Sequence, residues 1–375
     1  MQRISICFAL ICLIAFVGCK SEKTETTVTY HDDIEPLMAS HCTRCHYDGG
    51  LGSGDFTDAD EVESLADWMQ TAMDDERMPP PASDPECRDY TGSDHLRMSD
   101  ESKDLFAAWV DAGMERGESD ESAVSETVNT ELAQPDVTIL MPDVYTPTYE
   151  RTDEPDNEYR CFILDTSDLE GKYITAIGAQ VGAPEIMHHI TLSLVDKDDV
   201  TEEYQDPQGW DCIDNVVTFN SEFMFAGFAP GTMPFEFPEG AGFEMSEDQT
   251  LVLSMHYVHN PDAEGVSDQT GFDFGVADEV DKELYMLTIA VDDFEIPAET
   301  TGHTDKALFP AYYVGDFDIV SVLPHLHQLG VGYEMSIEHS DGSESCVVRG
   351  DYSFDNQLVY QFVEPLSVDS TDLVR

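Results

Sequence analysis

Residues 184–195 read PEIMHHITLSLV. A proline opens the stretch, and the β-branched and apolar run that follows, Ile190 to Asp196, is the length of one strand. The same texture recurs beyond Asp136 in TLVLSMHYV (250–258), ELYMLTIAV (283–291), FDIVSVL (317–323) and YEMSIEHS (333–340), each bounded by Gly, Pro, Asp or Asn. Strands this dense, without long helical periods between them, predict antiparallel β-sandwiches and not α/β units. No P-loop, no G-x-G-x-x-G after a strand and no G-x-S-x-G nucleophile elbow occurs in the chain.

The histidines fall inside these runs. His188 and His189 are adjacent, so on a regular strand they point to opposite faces and meet one ion only where the strand begins or bulges. His256 lies within an apolar run, LVLSMHYVHN. In VSVLPHLHQLG, His325 and His327 stand two apart, which on a strand places them on one face, where two imidazoles converge on a metal. Each element alone is more often a pair of satisfied polar residues than a set of ligands. Three of them within the strands of one chain favour metal.

Upstream the pattern is helical. Ile34, Leu37 and Met38 share a face, Val62, Leu65, Ala66, Met69 and Met73 repeat every three or four residues, and Ser99 caps a helix that buries Leu105, Phe106, Trp109 and Val110 and stops near Gly113. Residues 41–50, HCTRCHYDGG, hold C-x-x-C-H. Two thiols at that spacing reach both vinyl groups of one porphyrin, and the imidazole beside them binds iron, so Cys42, Cys45 and His46 predict a covalent haem. A redox dithiol or a zinc half-site does not call for His46, and the chain holds no second C-x-x-C. Met78, in ERMPPPAS, is the expected sixth ligand, since the region resembles small c-type cytochromes in which a Met-Pro turn brings a thioether to the haem. Met73, Met98 and Met114 compete for that role or pack the core.

The start, MQRISICFALICLIAFVGCK, has an apolar run from Ile4 to Val17, shorter than the ~20 residues of a bilayer span. It reads as a signal peptide, residues 1–18. Phe16-Val17-Gly18-Cys19 resembles a bacterial lipobox, with Phe where Leu is usual, making Cys19 a lipidation site and residues 19–27 a tether. The protein is therefore expected outside the cytoplasm, anchored to the cell envelope. Cys87, Cys161, Cys212 and Cys346 remain for disulfides, and four cysteines allow three complete pairings. Across 375 residues, 78 Asp and Glu against 17 Lys and Arg give a net charge of −61. The acid is spread along the chain (DDIEP, DADEVE, VDKDD, VADEVDKE), as on a solvated surface adapted to salt, where the Debye length falls to ~3 Å at 1 M. Nucleic acid is excluded as a partner, and a cationic electron-transfer protein is admitted.

Taken together, the residues beyond Tyr145 resemble the type II copper monooxygenases related to peptidylglycine and dopamine hydroxylases. The order is YRCFILD, the HH doublet, Gly-Trp-Asp-Cys ending at Cys212, FAGFAPGTMPFEFPEGAGFEM (225–245), the HY strand and the H-x-H followed by Gly. The resemblance implies two jelly-roll-like sandwiches, one copper held by His188, His189 and His256, a second, catalytic copper at His325 and His327, and a Cys161–Cys212 disulfide. The family's second copper also takes a methionine from a later strand. No Met follows Met335, which stands eight residues past His327 in the wrong segment, so the second site is expected to be incomplete in this chain. On this reading Cys346 has its partner in a missing part, and Cys87 is unassigned.

The expected organisation is a cytochrome c-like all-α domain (28–117), an acidic linker (118–135), a first copper β-sandwich (136–278) and a second, truncated one (279–375). The expected function is hydroxylation of a C–H bond of a small molecule or peptide by dioxygen, which takes two outside electrons. An extracytoplasmic donor passes them to the haem, then to the first copper, then to the second. The linker raises the haem's effective concentration at the coppers. The alternative is a copper-binding or electron-transfer lipoprotein without hydroxylase chemistry, or a structural module whose histidines are satisfied core residues.

Overall fold

The computed structural model describes residues 27–50, 52–119, 131–150, 155–212, 223–229, 232–291, 294–354 and 356–375. The signal segment, Cys19 and most of the 118–135 linker lie outside these residues. No helix among the described residues is long and apolar enough to cross a membrane.

The N-terminal unit is built on α1 (Glu35–His41), α2 (Ala59–Asp74), α3 (Ser93–Leu96) and α4 (Asp100–Asp111), with a π-helical turn at Tyr30–Ile34. Ser99 caps α4 as the sequence requires, its hydroxyl accepting from the Ser102 amide. The periodic apolar faces meet in one core of Ile34, Met38, Val62, Ala66, Met69, Met73, Phe106 and Trp109. These helices are few, and among the described residues those in strands far outnumber those in helices.

The first β domain runs through β1 (Val137–Leu140), β2 (Asn157–Ile163), β3 (Lys172–Gln180), β4 (Met187–Asp196), β5 (Trp210–Asp211), β6 (Phe223–Phe228), β7 (Phe235–Glu236), β8 (Ala241–Met245), β9 (Gln249–Val258), β10 (Gly271–Ala277) and β11 (Lys282–Glu283). One sheet has the order β1-β10-β3-β8-β11, with β7 also on β3, and the other β5-β2-β9-β4-β6. Phe162, Ile190, Leu192, Leu253 and Met255 of the second sheet pack on Ile174, Ile177, Phe272 and Phe274 of the first, which makes a sandwich. Cys161 and Cys212 are disulfide-bonded across β2 and β5.

The second β domain has β12 (Phe309–Pro310), β13 (Phe317–Val322), β14 (Gly332–Glu338), β15 (Glu344–Asp351), β16 (Tyr360–Val368) and β17 (Leu373–Val374), in sheets β12-β17-β14-β15 and β13-β16. ELYMLTIAV departs from the sequence reading. Only Lys282–Glu283 forms a strand there, and Tyr285, Met286 and Leu287 are exposed. Beyond Glu283 no described strand pairs with this run, and a strand without partners for its amides and carbonyls gains nothing from β-propensity.

Cys346 also departs from expectation. Its partner is Cys87, 259 residues earlier. The bond is part of a clamp in which the proline-rich segment after α2 joins the second β domain. Tyr90 bridges to Phe362, the Asp84 amide donates to the Arg349 carbonyl (2.7 Å), the Thr91 amide donates to the Gln361 carbonyl (2.8 Å), and Asn356 Nδ2 donates to the Pro81 carbonyl (3.1 Å). Ala82 and Tyr90 are buried in the core of that domain. Gly350 permits the approach, because a Cβ there would lie 3.1 Å from the Ser83 Cα.

Candidate metal centres

The histidine doublet lies at a break in register. Met187 faces Tyr257 and His189 faces His256, so one extra residue of β4, His188, sits opposite a single step of β9. This β-bulge meets the condition that adjacent histidines otherwise fail. The ligating nitrogens of His188, His189 and His256 all lie within 4.8 Å of one another. His188 Nδ1 is 2.9 Å from His189 Nδ1, which is 3.4 Å from His256 Nδ1. Two nitrogens each about 2.0–2.1 Å from one ion, and roughly 90–110° apart as seen from it, stand about 2.8–3.4 Å apart. The trio fits a metal ion.

Two residues of β2 hold His256. Tyr159 faces it across the ladder and stacks on its ring at 4.2 Å and 8°. His256 Nε2 donates to Asn157 Oδ1 at 2.8 Å, which fixes the tautomer and leaves the Nδ1 lone pair facing the other two rings. Asn157 and Tyr159 alternate along β2 and so share a face. The sequence signal for them was present in NEYRCFI, but only strand pairing shows which histidine they meet. Burial, and then the charge of neighbouring His188, push His189 down to about 4. Burial, and then the charges of His189 and His188, push His256 to about 2. Both are neutral at physiological pH, the form that ligates a metal.

His325 and His327 are placed differently. They follow β13 in irregular backbone, so the strand-face argument does not apply to them. Their rings nevertheless come within 5.3 Å of each other at 79°, both exposed, and His325 Nδ1 donates to Gln357 Oε1 at 2.6 Å. Among the described residues no third His, Cys, Asp or Glu joins them. Met335 is on β14 opposite Val348, packed against the second core.

Cys42 ends α1, and neither it nor Cys45 is in a disulfide. Burial pushes the Cys42 thiol up to about 12 and raises Cys45 as well. His46 is buried, stacks on Phe56 at 4.3 Å and 7°, and donates from Nδ1 to the Ser53 carbonyl at 2.8 Å, leaving Nε2 as the ligating nitrogen. Gly52 lies flat against this ring, since a Cβ there would meet His46 Nδ1 at 2.6 Å. Arg44, 8% exposed, has a buried Nη1 with no hydrogen-bond partner among the described residues. Two unbridged thiols, an oriented imidazole and an unsatisfied buried cation are a donor set that fits a haem with anionic side groups. Met78 is exposed on the loop after α2, whereas Met73 is in the helical core and Met98 and Met114 pack against it.

Residues 138–264 match the copper type II ascorbate-dependent monooxygenase family, N-terminal domain. No curated protein matches the chain. The matched segment contains the doublet, His256, Asn157, Tyr159 and the Cys161–Cys212 bridge, while the helical unit and the second β domain lie outside it. Residues 138–264, the greater part of the first β domain, are thus similar to the N-terminal domain of the copper type II ascorbate-dependent monooxygenases, a family of oxidoreductases.

Proposed function

We propose that this chain is an exported, lipid-anchored monooxygenase that hydroxylates a C–H bond of a small molecule or peptide with dioxygen, and that a covalent haem on its own N-terminal unit supplies the electrons. The observation that carries the reading is the His188–His189–His256 trio, built by a bulge inside the segment that matches the family. Copper bound there changes by one electron at a time, and imidazole suits both of its oxidation states. The protein's part is preorganisation. Burial keeps His189 and His256 unprotonated, Asn157 fixes the His256 tautomer, and the Tyr159 ring covers one face of it.

His325 and His327, with Gln357 orienting the first, are the residues for a second, catalytic copper. Cys42 and Cys45 would hold the haem, and His46 and Met78 would ligate its iron. Residues 1–18 would direct export and Cys19 would carry the lipid.

The full chain, produced with a haem-attachment system and loaded with copper, tests this. Expected are one covalent haem per chain, copper lost in His188→Ala and His256→Ala, and dioxygen uptake coupled to a hydroxylated product. Stopped-flow mixing of the reduced protein with dioxygen should show haem oxidation on the time scale of turnover. Copper binding without product would leave the second reading, an electron-transfer or copper-binding lipoprotein, which the exposed His325–His327 pair, joined by no third His, Cys, Asp or Glu among the described residues, favours. A chain that binds neither copper nor haem refutes both.

A further inference from the structure

We propose that Tyr90, Tyr360, Tyr333 and Tyr352 form a relay that passes single electrons from the C-x-x-C-H segment to the His325–His327 pair. This rests on the proposed function for its donor and acceptor, and it replaces the expected route through the first histidine cluster. Tyr90 and Tyr360 stand edge to face with centroids 4.8 Å apart. Tyr333 O–H donates to the Tyr360 hydroxyl at 3.0 Å, with ring centroids 6.5 Å apart. The Tyr333 and Tyr352 centroids are 6.4 Å apart. Tyr352 O–H donates to the carbonyl of Leu326, the residue between the two histidines.

The donor end is reached through the segment that follows Tyr90. Three residues after Tyr90, α3 packs on the end of α1. His41 Nδ1 donates to the His95 carbonyl at 3.2 Å, and Ser40 Oγ is 3.1 Å from His95 Nδ1, immediately before Cys42. Arg44, inside C-x-x-C-H, lines one cavity together with Thr91 and Gln361, the residues next to Tyr90 and Tyr360. The rings therefore reach from the backbone between the two histidines to the wall of a cavity that Arg44 of C-x-x-C-H also lines. Tunnelling falls off exponentially with distance, so a few short hops outrun one long one.

Each hop removes one electron from a phenol. At the two ends the phenol's proton shifts toward a hydrogen-bonded carbonyl, that of Leu326 for Tyr352 and that of Ser83 for Tyr90 at 2.7 Å, and returns when the electron is restored. The hydrogen-bonded hydroxyls of Tyr333 and Tyr360 keep both protons between them as the electron crosses. The net change would be one electron lost by a ferrous haem that His46 would hold and one gained by an oxidant at the level of dioxygen bound to the copper that His325 and His327 would hold. The tyrosines end unchanged. Tyr90, Tyr360 and Tyr352 are buried, and burial raises the phenols of Tyr90, Tyr360 and Tyr333, so the relay rests protonated.

The relay is read directly, without copper or turnover. Leu329, 79% exposed and two residues past His327, is replaced in the full chain (Leu329→Cys) and labelled with a ruthenium polypyridyl photo-oxidant. The singly modified form with the label mapped to that position is flashed with a quencher. Expected is a neutral tyrosyl radical by electron paramagnetic resonance, part of which disappears in Tyr90→Phe. Tyr333→Phe, which keeps the ring and removes only the hydroxyl, should lose that Tyr90 share and retain the Tyr352 share. No tyrosyl radical in the tyrosine-intact protein, or a Tyr90 share unchanged in Tyr333→Phe, overturns the relay. A chain that purifies without haem refutes the proposed electron source but still reports these radicals, so the two failures are distinguishable.

Discussion

Replacing the Cys87–Cys346 bridge by serines should loosen the second β domain and leave the first intact. The bridge spans 259 residues, about half of them in the first β domain with its own core, so opening the second domain alone frees a loop of about 120 residues. The chain-entropy relation gives about 5 kcal/mol for a loop of that size, and bridges of this kind typically deliver about 2–4 kcal/mol. A loss of about 3 kcal/mol is expected, which raises the population of the open form roughly a hundredfold. All three tryptophans lie at positions 68, 109 and 210, so fluorescence does not report on the second domain. Hydrogen exchange read by mass spectrometry does. Peptides covering β15 and β16 should exchange roughly a hundredfold faster in Cys87→Ser/Cys346→Ser, while those covering β2 and β9 keep their rates. Unchanged exchange in β15 and β16 would mean that the hydrogen bonds of the clamp suffice without the bridge, and the reasoning fails. Equal acceleration in β2 and β9 would refute the independence of the two cores.

Three further outcomes test other parts. Asn157→Ala frees His256 to turn or to change tautomer, and it should weaken copper binding by about 10–100-fold in competition with a chelator, the usual effect of removing a ligand's supporting hydrogen bond; an unchanged affinity refutes the positioning role. The Arg349 guanidinium, bonded to Asp84 at 2.7 Å, holds the Asp84 carboxyl below the usual carboxylate range. The unfolded state then takes up the proton first, so this contribution is full above the ordinary carboxylate pKa and is lost as pH falls through the depressed value; protection of β15 should decline with acid in the parent and change less in Asp84→Asn. With a net charge of −61, the thermal midpoint should rise as sodium chloride increases from about 0.1 to 1 M, because the screening length contracts from about 10 to 3 Å; a midpoint that does not move with salt would refute self-repulsion as a limit on stability.

What was legible in the sequence follows from which interactions are local. Ser99, the α4 face and the alternating strands of the first β domain are set by residues a few positions apart, and they stand where periodicity puts them. The histidine trio was legible as a condition, a bulge at the doublet, whereas the bulge itself depends on how β4 registers against β9 some sixty residues on. Asn157 and Tyr159 went unseen for the same reason. ELYMLTIAV shows the reverse error, since its composition suits a strand but composition supplies no partner.

The clamp also alters what the linker is for. A helical unit tethered only through residues 118–135 would sample many orientations, and effective concentration would then set how often it met the β domains. Residues 79–92 remove that freedom. They leave α2, enter the core of the second β domain through Ala82 and Tyr90, are bonded there by Cys87, and return as α3 against α1. The helical unit is therefore joined to the second β domain by a segment packed in that domain's core and bonded there by a disulfide, and not by the linker alone. For electron transfer that difference is decisive, because tunnelling rewards a fixed short path over frequent random encounters. The Pro79–Pro81 run makes the crossing rigid, since each ring fixes φ and leaves no amide to seek another partner. Met78 stands at its start. Any ligand that Met78 supplies to a haem is thus held by the same segment that docks on the domain carrying His325 and His327. Strain or reduction at Cys87–Cys346 would be felt at both ends.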